Sequence, residues 1–169
     1  MTGFFGTGLL NPALTRGGCT DTACSLLKQT DFPSWLYPVT QGATTIWERW
    51  NSFTLENGFG GNNSMNSFNH YSLGSVLSWI YETLCGIRRD EENPGYRHFT
   101  LAPVIAGFGR VEGSFRTPYG TIESGWRVAE GAAEYRCTVP PNTTASLRLP
   151  DGTDAELGSG TYCFTVSLS

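Results

Sequence analysis

Residues 120–139, GTIESGWRVAEGAAEYRCTV, carry the same alternation of apolar and polar side chains twice, with a turn between the two copies. Ile122, Ser124, Trp126 and Val128 fall on one side of an extended chain, and Glu123, Gly125 and Arg127 on the other. Successive side chains of a strand point to opposite faces, so a period of two marks a strand buried on one side. After Glu130-Gly131 the pattern resumes with Tyr135, Cys137 and Val139 on one face. Further on, Ala145, Leu147 and Leu149 share a face, as do Tyr162, Phe164, Val166 and Leu168. Turn signals separate these runs: TPYG with Pro118 at its second position, EGAA, PPNTT, PDGT and GSG. Short alternating strands with regular turns predict a small antiparallel β-sandwich of about 75 residues over 91–169.

Upstream the period changes. The stretch RRDEENPGYRH, residues 88–98, gathers charge around a Pro-Gly turn and reads as a solvated linker. Before it, apolar residues recur at helical spacing. Asp21 suits an N-cap for a helix carrying Ala23, Leu26 and Leu27. PSWLYPVTQG starts with Pro33 and stops at Gly42, with Pro38 expected to kink or shorten it. The strongest helical signal is SFNHYSLGSVLSWIYETLCG, residues 67–86. Here Ser67 is placed to cap, Leu73, Leu77, Ile80 and Leu84 form a stripe, and Gly86 fits the stop. Gly74 inside it costs about 1 kcal/mol against Ala, which predicts a close neighbour. Between the helices, TLENGFGGNNSMN is rich in Gly and Asn and reads as a loop. A few helices with long loops do not close a core alone. Residues 1–90 are therefore expected to be the last helices of a larger helical domain, an α+β multidomain arrangement.

The chain has 169 residues, 39% hydrophobic and 15% charged, with net charge −4. That charge is mild and of the wrong sign for nucleic-acid binding, and no basic run interrupts it. No apolar run approaches the roughly 18 residues that span a bilayer. MTGFFGTGLLNPAL lacks the basic start of a signal peptide, so the expected setting is cytoplasmic. Five cysteines, Cys19, Cys24, Cys85, Cys137 and Cys163, are odd in number and show no CxxC spacing. They read as reduced thiols rather than a disulfide framework or zinc site, although Cys137 and Cys163 are open to pairing across a sheet. Asn62 and Asn142 begin sequons, which carry no weight without secretion. No nucleotide-binding glycine motif, HExxH, GxSxG or metal-ligand spacing occurs, so neither metal nor cofactor is expected.

Carboxylate chemistry on a neutral substrate remains. In GATTIWERWNSF, residues 42–53, Glu48 lies between Trp47 and Trp50. An acid at a helix end paired with Arg49 or solvent is the ordinary reading. The neighbouring Thr, Asn and Ser residues instead supply hydrogen bonds of the kind that hold a catalytic base in one rotamer. The indoles are either core or a platform for a sugar ring. His70, in MNSFNHYS, follows Asn66, Ser67 and Asn69, neutral groups suited to an uncharged polyol at the start of a helix. Glu56 in the intervening loop is a weaker candidate, and His98 reads as structural. Glycoside hydrolysis is the first expectation.

At these residues the chain resembles the bacterial α-L-rhamnosidases, glycoside hydrolase family 78. The motifs that carry the resemblance are TGFFGTGLL, PSWLYPVTQGATTIWERW, MNSFNHYSLGSV, LCGIRRDEENPGYRHFTLAP, TPYGTIESGW, VPPNTTASLRLP and ELGSGTYCF, in the family's order over nearly the whole chain. The resemblance implies the end of an (α/α)6 barrel followed by a β-sandwich. It also implies an inverting reaction on a rhamnose-containing glycoside or oligosaccharide. Glu48 matches the family's general base and His70 its contact to sugar hydroxyls. Inversion sets roughly 6.5–9.5 Å between the two carboxyls. The family's general-acid motif, D-x-R-x-E-R-x-G-W, does not occur in these residues. Gly8 stands where the family pattern has Pro, and LENG where an Asp-Gly turn is commoner. The expectation is a C-terminal fragment that is inactive alone and self-associates through uncovered helix faces. The alternatives are a non-catalytic carbohydrate-binding or structural β-sandwich module, using Trp126 or Tyr119, and a different (α/α)6 enzyme of the trehalase or uronyl hydrolase kind.

Overall fold

The structure, a computed structural model, describes residues 3–60 and 64–168. The sequon residue Asn62 and part of the Gly/Asn-rich loop lie outside them. The chain divides into two compact units, Met1–Leu77 and Ser78–Ser169.

The first unit is helical at its start. Helix α1 covers Phe4–Arg16 and α2 covers Thr20–Lys28. Helix α1 forms although Gly6, Gly8 and Pro12 have low helix propensity. Tertiary contact overrides that propensity. A Cβ on Gly8 would sit 2.8 Å from the Ser75 hydroxyl, so α1 lies close against the chain at Ser75 and a larger residue would have to displace that side chain. Asp21 lies inside the first turn of α2, whose N-cap is Cys19. In PSWLYPVTQG only Tyr37–Thr40 is helical (α3). The Ser34 hydroxyl accepts the Tyr37 N–H at 3.0 Å and starts this turn, and Pro38 occupies its first positions.

The long helix expected over 67–86 starts late and is broken. It runs as α4 Tyr71–Gly74, α5 Val76–Trp79 and a π-helical segment Ile80–Leu84. Ser67 does not cap it. Residues 67–70 are held in an irregular course by backbone bonds to 46–48, so helix begins only at Tyr71, capped by His70. Gly74 meets Ile46 at an ordinary 3.5 Å, so the close approach belongs to Gly8 instead. Leu73 and Leu84 of the expected stripe are buried, whereas Leu77 is exposed.

The second unit is a sandwich of two four-stranded sheets, ordered β1-β2-β6-β7 and β3-β4-β5-β8. The strands are β1 Ile87–Arg89, β2 His98–Leu101, β3 Arg110–Thr117, β4 Gly120–Ala129, β5 Ala132–Val139, β6 Thr144–Arg148, β7 Asp154–Leu157 and β8 Gly160–Ser167. The RRDEENPGYRH stretch is thus not a linker. Its ends are strands that pair antiparallel, Ile87 opposite Leu101, and its middle is their turn. The sheets are antiparallel except where β2 runs parallel to β6, across the intervening β3, β4 and β5. Parallel neighbours need such a crossover. Ile122, Trp126, Tyr135, Cys137, Val139, Ala145, Leu147 and Val166 form the shared core with Phe99 and Leu101. Val128 lies at the margin of this face and is exposed.

The last helical turn is built into this core. The carbonyls at a helix C-terminus lack intrahelical partners, and here four in succession find them in the sandwich. Thr83 O accepts the Val104 N–H at 2.8 Å and Gly86 O the Ala102 N–H at 2.9 Å. Leu84 O accepts the Trp126 indole N–H at 2.8 Å. Cys85 O accepts the Ser124 hydroxyl at 2.5 Å, and the Tyr135 hydroxyl bonds Ser124 Oγ at 2.9 Å. Gly86 has φ 71°, and a Cβ there would lie 2.2 Å from Pro103 N, so the residue is glycine on two counts.

Cys137 is buried and Cys163 exposed; they lie one position out of register on opposite faces of the sheet, so they do not pair. All five cysteines are free thiols. Burial pushes the Cys85 and Cys137 thiols up to about 11.

Candidate active site

Glu48 sits on an irregular ladder of hydrogen bonds between residues 45–48 and 67–70. The His70 N–H donates to Ile46 O at 2.9 Å, and the Glu48 N–H to Ser67 O at 2.8 Å. The Thr45 hydroxyl donates to Phe68 O. The ladder gives the carboxylate its partner: the Ser67 N–H donates to Glu48 Oε2 at 2.7 Å. Glu48 and Ser67 thus exchange two bonds, one through backbone and one through the side chain. With 8% of its surface exposed, Glu48 is a nearly buried acid held by a main-chain donor.

The hydroxyls that the sequence placed around the carboxylate act on backbone instead. Ser52 Oγ accepts the Arg49 N–H at 3.2 Å and donates to Arg49 O at 3.1 Å. Asn66 Nδ2 donates to Ser52 O at 2.9 Å, tying the turn after Glu48 to the ladder's other arm. No side-chain pattern signals the Ser67 donor; the β-propensity of 44–46 is the only hint that the segment pairs with another.

The indoles are packed rather than presented. Trp47 is 6% exposed and belongs to a closed ring of four aromatic side chains in edge contact. Its centroid lies 5.3 Å from Phe68 and 6.5 Å from Phe53, and Phe59 closes the ring at 5.3 Å from Phe53 and 5.6 Å from Phe68. Edge-to-face pairs of this kind contribute about 0.5–1.5 kcal/mol each beyond burial. Trp50 packs edge-on to Trp35 at 5.4 Å, beside a small cavity of about 170 Å³ that also meets Thr7 and Ser34.

The half-buried His70 lies at the end of the same ladder. Its Nδ1 accepts the Ser72 N–H at 3.3 Å, which puts the proton of the neutral ring on Nε2. The ring stacks on Tyr71 at 5.2 Å. Glu56 is exposed in a tight turn closed by the Thr54–Gly58 bridge. His98 bonds Thr144 Oγ1 at 2.8 Å and Ser146 Oγ at 3.1 Å across the parallel β2–β6 pair, a structural place. Trp126, expected as a sugar platform by the module alternative, is 2% exposed with its N–H committed to Leu84 O, so it meets no ligand. Tyr119 is exposed. Among the described residues no group of three or more His, Cys, Asp or Glu is arranged to hold a metal ion, and no helix is long and apolar enough to cross a membrane.

The first unit is helical and bears a buried carboxylate, and the second is a two-sheet sandwich, the order of elements at the C-terminal end of a six-hairpin glycosidase. Residues 1–84 match the family described as bacterial alpha-L-rhamnosidase 6 hairpin glycosidase domain, and residues 86–163 the bacterial alpha-L-rhamnosidase C-terminal domain. The chain belongs to the bacterial α-L-rhamnosidase family. It is similar to an alpha-L-rhamnosidase of Streptomyces avermitilis, 40% identical over 98% of this chain and 18% of the relative. Among solved structures it is similar to native α-L-rhamnosidase from Aspergillus terreus, with TM-score 0.87 and 41% identity over 98% of this chain and 19% of that one. It is also similar to the Streptomyces avermitilis α-L-rhamnosidase complexed with L-rhamnose, with TM-score 0.85 and 39% identity over 98% of this chain and 18% of that one. The chain therefore spans about a fifth of the length of the relatives it matches.

Proposed function

We propose that this chain carries the general-base half of an inverting α-L-rhamnosidase site, acting on terminal α-L-rhamnosides. Glu48 takes the proton of the attacking water, and His70 donates from Nε2 to a sugar hydroxyl. The observation that carries this reading is the Glu48 carboxylate, buried yet bonded by the Ser67 N–H at 2.7 Å. Such a bond fixes one oxygen and leaves the other to orient a water. A base must be held within hydrogen-bond reach of the proton it removes. The matched relative's complex with L-rhamnose supports the choice of sugar.

Inversion also needs an acid that protonates the leaving oxygen on the opposite side of the sugar. The acid motif of the family does not occur in these 169 residues, so the chain alone is proposed to be inactive. Two measurements test the reading. The purified chain is expected to show no turnover of an aryl α-L-rhamnoside, and robust hydrolysis overturns the account of the missing acid. Glu48→Gln, made at the aligned position of the full-length Streptomyces avermitilis relative, is expected to lower kcat by about 10²–10⁴-fold, the range for losing a general base. Unchanged kcat removes Glu48 from the chemistry.

A further inference from the structure

The outward face of the β3-β4-β5-β8 sheet has a depression of about 540 Å³ floored by Gly125. That volume lies in the range of small-molecule sites, about 300–1,000 Å³. Gly125 stands at the centre of the sheet, opposite Glu112 on β3 and Arg136 on β5. A Cβ there would lie 2.8 Å from Val111 O and 2.9 Å from Glu112 Cγ, so the floor cannot be filled by another residue. The side chains around it are charged and exposed: Glu112, Glu123, Arg127, Glu134 and Arg136.

These charges are not equally committed. Glu112 is paired with Arg110 at 2.6 Å. Glu123 accepts the Thr138 hydroxyl at 2.8 Å, and Glu134 accepts the Cys163 thiol at 3.5 Å. Among the described residues, the side chains of Arg127 and Arg136 make no hydrogen bond or close ion pair, although Arg127, after Arg110, helps to hold the Glu112 carboxyl below its usual range. They sit diagonally on neighbouring strands at the margin of the depression. Two guanidinium forks with no hydrogen-bonded side-chain partner over one hollow match a planar carboxylate, which each can bind in a bidentate way. The carboxylates around the rest of the rim are acceptors, suited to hydroxyl protons. The outward positions of β4 and β5 bear no aromatic side chain, so a neutral sugar would find no ring to stack on.

We propose that the Gly125 depression is an accessory binding site for an acidic saccharide, its uronate carboxylate on Arg127 and Arg136 and its hydroxyls on Glu112 and Glu123. The site lies within the second unit and stands or falls independently of the hydrolytic reading. Its exposed ion pairs weaken as salt is raised, because charges in water are screened beyond about 8 Å at physiological ionic strength.

The test is titration of the full chain with D-glucuronate, D-glucose and acetate, read by backbone amide shifts. Glucuronate is expected to give saturable shifts at Gly125 and Arg136 that weaken with added salt. Affinity is expected to fall at least about tenfold, equivalent to 1.4 kcal/mol, in the Arg127→Gln/Arg136→Gln double variant. Both side chains are exposed, and each single variant with an unchanged melting temperature serves as a folded control. An equal response to D-glucose, an equal response to acetate as a simple anion, absent saturation, or retained affinity in the variants overturns the proposal.

Discussion

At Ser124 one hydroxyl serves two buried oxygens, the Cys85 carbonyl and the Tyr135 phenol. Removing a partner from a buried polar group costs about 1–3 kcal/mol. Ser124→Ala is therefore expected to destabilise the sandwich by that amount in chemical denaturation, with the volume of the side chain almost unchanged. A value near zero would show that this network is dispensable. The thiols set a second residue-scale expectation. Burial raises Cys85 and Cys137 from 9.0 to about 11, so the fold favours their neutral forms. The stability this represents is complete below about pH 9 and is lost as pH rises through 11. Thermal denaturation from pH 8 to 11 should show the fall, and Cys137→Ala should flatten it. The burial of Trp126 and Cys137 was legible from alternation alone. The partners of Trp126 were not, because nothing in a strand pattern says which helix carbonyl an indole will reach. At Glu48 the residue was legible and its support was not. Sequence reading looks for side-chain partners, and the donor is the main-chain N–H of Ser67.

The elements show where local propensity decides and where packing does. The strands of the sandwich follow their periodicity closely, since one buried face leaves little choice of register. The helical stretch after residue 66 does not. Its capping and spacing predict one helix from Ser67, yet the ladder to 45–48 keeps residues 67–70 irregular, and the helical stretch that follows ends in a π-helical segment. Gly86 ends that segment at φ 71° against Pro103. Gly86→Ala is expected to lose more than the roughly 1–3 kcal/mol of a left-handed non-glycine residue, because the backbone of Pro103 cannot yield. A melting temperature unchanged by this substitution would contradict the packing described. The aromatic ring around Trp47 is likewise an element-scale device, joining residues 53 and 59 of the loop to Phe68 of the ladder. Phe59→Ala should raise amide exchange at Ser67 and Glu48, while Phe59→Tyr should not.

At the scale of the molecule the two units differ in what they leave to solvent. Of the eleven large hydrophobic side chains exposed among the described residues, nine, including Leu9, Val39, Leu55 and Leu77, belong to the first unit, and only Tyr119 and Val128 to the second. Exposed apolar surface on that scale favours association. Light scattering of the purified chain is expected to show oligomers at high concentration, and a chain starting at Ser78 to remain monomeric. The parallel pairing of β2 with β6 has a consequence of its own for assembly. Between them the chain must complete β3, β4 and β5, and contacts this distant in sequence cost closure entropy before they return any stability. During synthesis the β2 segment therefore waits, with β1 alone beside it, until Arg148 has left the ribosome. Nascent chains stalled before that point should be open to proteases at Phe99 and Leu101, and those released beyond Leu157 resistant.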